Sequence, residues 1–257
     1  MRKFRFLFII LLFLTIALGS FGFSLQGRYV VPIIIYHHVE HVQKPLANNV
    51  SPRSFARQMD YLKKHGYRVI NLDELVHAIR EKKRLQKSVV ITFDDGNEDN
   101  YAHAFPILKQ HGFPATIFVI AATVGEEGYL NWGEIKEMER ERVVIGSHTL
   151  SHVYLPGVSP QEHRHQIFES KKILEEKLGH PVDYIAYPSG GFNEEIKTIV
   201  KAAGYKGACT TNRGYHRLNE DIYELKRIRL SDRDSNIALW VKFSGYYNLF
   251  RSLTDPY

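Results

Sequence analysis

Apolar residues occur along this chain in short, nearly continuous runs that alternate with longer amphipathic stretches. The runs are rich in β-branched residues and predict strands buried on both faces at residues 30–36, 67–70, 88–93, 115–120, 143–146, 182–186 and 205–209. The stretches between them predict helices at residues 51–65, 72–81, 101–111, 132–141, 159–178 and 193–203. Strand and helix therefore alternate, which is typical of a parallel sheet with helical crossovers.

The chain length narrows the choice between parallel-sheet folds. The chain has 257 residues, and a single (β/α) barrel commonly takes about 250. No G-x-G-x-x-G fingerprint of an open dinucleotide-binding sheet follows the first predicted strand. The pattern favours a closed α/β barrel, in which functional residues lie at the carboxyl ends of the strands.

The first 27 residues differ in character from the rest. Arg2, Lys3 and Arg5 precede an uncharged stretch, residues 6–27, that begins as an almost unbroken run of Leu, Ile and Phe. Such a segment is typical of a secretory signal peptide, and its length also suits a membrane anchor, so cleavage stays open. The basic flank predicts that residues 28–257 are exported as one domain, either secreted or held at the outer face of the cell membrane.

Charge and cysteine content exclude two further classes. The formal net charge is +6, but three of the positive charges precede the apolar stretch, and no later Lys/Arg block is of the kind that tracks phosphates. We therefore expect no nucleic-acid partner. The single cysteine, Cys209, excludes an intramolecular disulfide.

Two groups of metal-ligand residue types follow predicted strands. Asp94 and Asp95 come directly after residues 88–93, where adjacent carboxylates repel each other unless a cation or a proton compensates them. Taken alone, this pair is equally typical of a surface Asp-Asp-Gly turn. His148 and His152 follow another strand at a spacing of four, which can direct both imidazoles at one point. Carboxylate and imidazoles together predict a catalytic metal site, most simply for Zn²⁺.

Two motifs carry a resemblance to a known family. TFDDG (residues 92–96) and HTLSH (residues 148–152) resemble, in order and separation, the first two motifs of the polysaccharide deacetylases, carbohydrate esterase family four. The resemblance covers residues 32–229 and implies a distorted (β/α)7 barrel that removes acetyl groups from sugars. It also implies that Asp94 is the general base and that Asp95, His148 and His152 hold one divalent metal ion.

AYPSG (residues 186–190) resembles the family's third motif. The resemblance implies that the backbone N–H of Ser189 binds the oxyanion, and we expect Tyr187 to form part of the wall that faces the sugar. Many members have an arginine at the position of Ala186, where it orients the base. Its absence leaves the partner of Asp94 unidentified, and Arg227 or Arg229, on a predicted late strand, is the candidate replacement.

The general acid departs from the family pattern too. Many members carry a histidine near the chain's end in a Leu-x-His context, whereas residues 225–230 contain none. The segment IIYH (residues 34–37) resembles the branch that acts on exported poly-N-acetylglucosamine. A histidine titrates near neutral pH, so we expect His37 either to act as general acid or to support the site by hydrogen bonding.

Residues and resemblance together predict an exported, metal-dependent hydrolase that removes N-acetyl groups from an N-acetylglucosamine-containing polysaccharide of the poly-N-acetylglucosamine type. One alternative changes the substrate to peptidoglycan or chitin oligosaccharide. The other is an inactive barrel retained for carbohydrate binding, which would not need Asp94 as a base. Membrane contact is expected only through an uncleaved N-terminal segment, and no protein partner is inferred.

Overall fold

The computed structural model describes residues 28–42, 48–212 and 218–250. The segment interpreted as a signal peptide or anchor lies outside these ranges. Within them, no helix has both the length and the apolar character that crossing a bilayer requires.

The described part contains every strand and helix that the sequence pattern predicts, with bounds that differ by a few residues. The strands are β1 (Ile33–Tyr36), β2 (His38–Val39), β3 (Asn49–Val50), β4 (Arg68–Ile70), β5 (Ser88–Phe93), β6 (Ala115–Val119), β7 (Val143–Ser147), β8 (Tyr184–Ala186), β9 (Gly207–Thr210), β10 (Leu225–Lys226) and β11 (Ile228–Arg229). The helices are α1 (Pro52–Lys64), α2 (Leu72–Arg80), α3 (Phe105–His111), α4 (Trp132–Arg140), α5 (Pro160–Leu178), α6 (Glu194–Ala202) and α7 (Asn236–Phe243). A π-helical turn (Asn100–Ala104) replaces the start of the helix predicted at 101–111.

The sheet is parallel and nearly closes on itself. Its strands lie in the order β10-β9-β8-β7-β6-β5-β1-β11, and β4 pairs with the first half of β5. The two outermost strands of this order are separated in sequence by Arg227 alone. The same short segment therefore pairs with β9 through Leu225 and with β1 through Ile228, and it curls the sheet into a barrel. The predicted barrel is confirmed.

Helix capping places the loops that carry function. Every helix in the described ranges except α3 begins after a Ser or Asn whose side chain accepts a backbone hydrogen bond from the first turn. These caps hold the helix starts beyond the carboxyl ends of the strands. β5 is buried along its whole length, so the residues that follow it emerge at the centre of that end.

Candidate active site

The backbone at the end of β5 sends two adjacent carboxylates into different surroundings. The Asp94 N–H donates to the Tyr36 carbonyl oxygen at 3.0 Å, which extends the β1–β5 pairing by one residue. Asp95 then adopts a left-handed conformation with φ +73°, which Asp tolerates better than most side chains. As a result, the Asp94 side chain is buried and the Asp95 side chain is 23% exposed. The sequence alone predicted both residues but not this division.

Asp95 lies beside the two motif histidines. Its Oδ1 atom is 3.4 Å from His148 Nε2 and 3.5 Å from His152 Nε2. Ligand atoms about 2.1 Å from a tetrahedral metal are separated by about 3.4 Å, so this spacing suits one cation. Asp95 Oδ1 is also buried and accepts no hydrogen bond from the described residues. An orphaned carboxylate oxygen between two imidazole nitrogens is the donor set of a possible metal-binding site.

The hydrogen bonds of the two histidine residues orient them for metal binding. His148 Nδ1 lies 2.8 Å from the Ala186 carbonyl oxygen, which can only accept, so Nδ1 carries the proton and Nε2 is left with its lone pair toward Asp95. Thr149 turns the loop with φ +67°, and its Oγ1 accepts from the His152 N–H at 3.2 Å. Partial burial, followed by the neighbouring His148, lowers the pKa of His152.

Asp94 is paired with Arg227. The guanidinium donates from Nη1 to Asp94 Oδ1 and from Nη2 to Asp94 Oδ2, both at 2.6 Å, and Nη1 also lies 3.3 Å from Thr92 Oγ1. Burial opposes the charge on Asp94, but the Arg227 charge and hydrogen bonds, with His148, lower its pKa to about 2. Of the two candidate arginines, Arg227 therefore replaces the one missing at Ala186. Arg229 is exposed.

His37 follows β1 at the same end of the barrel. Burial lowers the pKa of its imidazole, and the negative charges of Asp94 and Asp95 act in the opposite direction. Its carbonyl oxygen accepts from Asn97 Nδ2 at 3.2 Å and from Asn100 Nδ2 at 2.8 Å. The loop that carries the Asp pair thus also holds the His37 backbone. Sequence reasoning missed both asparagines, although the polar run after residue 96 was their signal.

The structure does not support a sugar contact for the Tyr187 ring. The ring has no exposed surface, stacks on Phe192, and donates its hydroxyl to the Tyr223 carbonyl oxygen at 3.0 Å. The residue that follows β8 therefore points into the core, and the predicted contact between Tyr187 and the sugar is not formed. Ser189, two residues on, is exposed and left-handed with φ +53°, in the turn where the oxyanion-binding N–H is expected.

Tyr154 offers the exposed aromatic surface that Tyr187 lacks. It lies two residues after His152 and is 45% exposed. Its ring packs on Gly191, where a Cβ atom would lie 2.3 Å from Tyr154 Cε2. Tyr154, just after the second motif, therefore contacts Gly191, just after the third motif. The sequence did not single out this tyrosine.

A family model described as polysaccharide deacetylase matches residues 81–208. The poly-beta-1,6-N-acetyl-D-glucosamine N-deacetylase of Staphylococcus aureus (strain MRSA252) is 32% identical over 213 residues, which cover 77% of this chain and 73% of the relative. The chain belongs to the polysaccharide deacetylase family. YxkH of Bacillus subtilis (strain 168), which has a provisional polysaccharide deacetylase name, is 34% identical over 209 residues, 81% of this chain and 74% of that protein.

Two solved structures resemble this polysaccharide deacetylase along most of their length. The Streptococcus pyogenes deacetylase PplD in complex with acetate aligns with a TM-score of 0.77 and 32% identity, covering 83% of this chain and 97% of that one. IcaB from Ammonifex degensii aligns with a TM-score of 0.74 and 29% identity, covering 84% and 97%. The family assignment confirms that the chain is a hydrolase of the deacetylase class. The family match includes Asp94, Asp95, His148 and His152.

Proposed function

We propose that this chain is a metal-dependent deacetylase that removes N-acetyl groups from an exported N-acetylglucosamine polymer of the poly-N-acetylglucosamine type. The observation that carries the proposal is that two adjacent residues, Asp94 and Asp95, have different partners. Asp95 joins His148 and His152 in one donor set, while Asp94 is kept ionised beside it by Arg227.

Asp95, His148 and His152 fit a single divalent cation, and the nitrogen-rich donor set favours zinc. Such a cation, when bound, polarises the acetyl carbonyl and makes a water molecule more acidic. The chain prepares this site by fixing the His148 tautomer through the Ala186 carbonyl and by leaving Asp95 Oδ1 without a competing donor.

Asp94 takes the role of general base. Its low pKa keeps the carboxylate ionised at neutral pH, and the two hydrogen bonds from Arg227 hold it in one orientation. A carboxylate with so low a pKa is a weak base toward free water, so proton transfer to Asp94 depends on a water that the site has made more acidic. Asp94 can therefore act as the base only beside Asp95, His148 and His152, the residues that would hold the cation.

The remaining steps concern the oxyanion and the leaving amine. The Ser189 N–H is proposed to stabilise the charge that develops on the acetyl oxygen. His37 is proposed to protonate the departing amine, because it follows β1 at the active-site end of the barrel and an imidazole titrates near neutral pH. The buried ring environment that lowers its pKa makes it a stronger acid when protonated.

A relative supports the proposed substrate, and the N-terminal sequence supports the proposed location. The Staphylococcus aureus relative is named for its action on poly-beta-1,6-N-acetyl-D-glucosamine. The first 27 residues, which are basic and then uncharged, support export followed either by secretion or by anchoring at the outer face of the cell membrane. Peptidoglycan and chitin oligosaccharides are the competing substrates, and an inactive carbohydrate-binding barrel is the competing function.

Acetate release by the full chain in detergent, measured on poly-N-acetylglucosamine, peptidoglycan and chitin oligomers, tests the proposal. We expect the highest rate on poly-N-acetylglucosamine. Asp94→Asn should abolish turnover while the protein still binds metal, because Asp94 is not one of the three ligands. Polymer binding without acetate release by the metal-loaded wild type would favour the binding barrel instead.

His37 is tested by its pH profile. If His37 is the acid, His37→Gln loses turnover together with the alkaline limb of the rate profile, whereas substrate binding is retained. If His37→Gln retains the wild-type rate and profile, the acid lies elsewhere.

A further inference from the structure

The end of the barrel opposite the active site carries a groove of about 620 Å³. It lies at the amino ends of the strands, because it is lined by residues that precede β1, β5 and β10. Its apolar wall includes Tyr29, Tyr67 and Leu85, and its basic rim consists of Lys82, Lys83, Arg84 and Lys87. Two acidic residues are nearby: Glu220 lines the groove and Glu81 pairs with Lys83. The rim therefore has an excess of positive charge.

Helix α7 ends at this groove and presents an apolar face to solvent. Ile237 is 76% exposed and Trp240 is 61% exposed, and their spacing of three places them on one side of the helix. Leu239 and Phe243, by contrast, are buried in the core. Packing within the described residues thus accounts for only one face of α7. An exposed Trp beside an exposed Ile is the kind of patch that marks an interaction site.

Basic side chains flank α7 on its other side too. A second concavity beside the start of the helix is lined by Lys63 and Lys64, and by Arg57, whose guanidinium donates to the carbonyl oxygens of Asp234 and Asp232. The acidic residue there, Asp60, contacts His111. The apolar face of α7 therefore lies between two groups of basic residues. Apolar and aromatic side chains flanked by Lys and Arg are typical of surfaces that lie on anionic membranes.

The described domain begins at this pole. The uncharged stretch of residues 6–27 is followed at once by Arg28, which is exposed, and by Tyr29, which lines the groove. If the stretch is retained in a membrane, the domain is tethered at the same pole that carries the basic rim and α7. The active site, at the carboxyl ends of the strands, then faces away from the membrane.

We propose that the exposed face of α7, together with the basic rim at the end of this helix and Lys63 and Lys64 at the end of α1, docks on an anionic lipid bilayer. Trp240 and Ile237 enter the headgroup region, and the flanking Lys and Arg side chains bind lipid phosphates. Docking orients the active site toward polymer outside the membrane. The inference concerns orientation only and does not depend on the deacetylase activity.

The two tryptophans of the chain allow a direct test in the full-length protein. Trp132→Phe leaves Trp240 as the reporter, and Trp240→Phe leaves Trp132, at the start of α4 and away from α7, as the matched control. Both variants are reconstituted in vesicles of brominated phosphatidylcholine with or without phosphatidylglycerol. We expect the anionic vesicles to quench Trp240 by about half, since an interfacial helix buries its apolar face at the headgroup and acyl boundary. Trp132 should be unaffected.

Charge is tested in the Trp132→Phe background. Lys83→Gln with Arg84→Gln removes two rim charges, each of which contributes about fivefold to partitioning onto an anionic surface. Arg164→Gln with Lys172→Gln removes the same residue types from α5 and serves as the control. We expect only the rim pair to reduce quenching to the level seen without phosphatidylglycerol.

Several results would overturn the inference. Equal quenching of both tryptophans would mean that Trp240 has no preferential contact with lipid. Quenching of neither tryptophan in floated vesicles would place Trp240 away from lipid. The same result is expected if a second copy or another protein covers α7. Quenching that is independent of phosphatidylglycerol and of the rim charges removes the electrostatic basis. Failure of the chain to float with vesicles refutes both tether and docking, whereas acetate release is measured separately and reports only on the proposed deacetylase.

Discussion

Arg227 binds both carboxylate oxygens of Asp94 at 2.6 Å, from the one residue that separates β10 from β11. The segment that closes the sheet between β9 and β1 therefore also orients the proposed base. Both side chains are buried, so neither charge has water to replace its partner. Closure of the barrel and ionisation of Asp94 are thus coupled through one ion pair.

Replacing Arg227 with Lys tests this coupling. A lysine keeps the charge but cannot form two parallel hydrogen bonds, so we expect kcat/KM to fall by about 10²-fold through misorientation of Asp94. The pKa of Asp94 should rise, because part of the stabilisation of its charge is lost, and the acid limb of the pH-rate profile should move to higher pH. Steady-state kinetics across pH measures both effects.

Arg229→Lys is the matched control, because the Arg229 side chain is exposed and the substitution keeps its charge. Its acid limb should coincide with that of the wild type. An unchanged acid limb in Arg227→Lys would mean that Arg227 does not set the protonation of the base.

Asp94 should also affect the pH dependence of folding. Its pKa is about 2 in the folded protein against an ordinary value of 3.8, so the folded state binds its proton less readily than the unfolded state does. This contribution, about 2 kcal/mol, is fully present above the unfolded pKa and is lost as pH falls through about 2. Urea unfolding between pH 5 and pH 2 should give a shallower loss of stability for Asp94→Asn than for the wild type. Parallel curves would contradict the assignment.

Metal affinity should depend on Asp95 and not on Asp99. Asp95→Asn retains the shape and tolerates the left-handed backbone, so the expected drop, about 100-fold or more, reports the lost carboxylate ligand. Asp99 belongs to a separate cluster with His38 and Glu40, and it already binds His38 Nδ1 at 2.6 Å. Asp99→Asn should bind metal as the wild type does, by competition with a chromophoric chelator. The reverse result would move the metal site to that cluster.

Tyr187→Phe should affect stability and not substrate binding. It removes the hydroxyl that donates to the Tyr223 carbonyl oxygen in the core, at a cost of about 1 kcal/mol in the free energy of unfolding. Urea unfolding and KM for polymer separate the two effects. A several-fold rise in KM at unchanged stability would restore Tyr187 to the sugar-facing wall.

Tyr154→Ala should show the opposite behaviour. The exposed Tyr154 ring, two residues after His152 in the chain, offers an apolar face to a pyranose, so we expect KM for polymer to rise about tenfold with little change in stability. Phe168, another exposed aromatic, lies on α5, and Phe168→Ala is the control. Equal KM values for the two variants would exclude Tyr154 from substrate binding.

The sequence by itself determined the elements and the metal-ligand candidates. Buried β-branched runs such as β5 and capped amphipathic helices such as α5 are local patterns, so neighbouring residues predict the type of each element and its bounds to within a few residues. The pair Asp94 and Asp95, with His148 and His152, was identified as a candidate set because a parallel barrel brings every strand's carboxyl end to one face, and the resemblance to the deacetylase family then implied that Asp95 is the ligand.

Only the tertiary structure decided which side chains meet. Arg227 and Arg229 are alike in sequence, and the register of the split strand β10–β11 between β9 and β1 selects Arg227 as the partner of Asp94. Likewise, the packing of Phe192 turns Tyr187 inward, and the left-handed turn at Asp95 separates it from Asp94. These outcomes depend on contacts between residues far apart in the chain, which a local pattern does not contain.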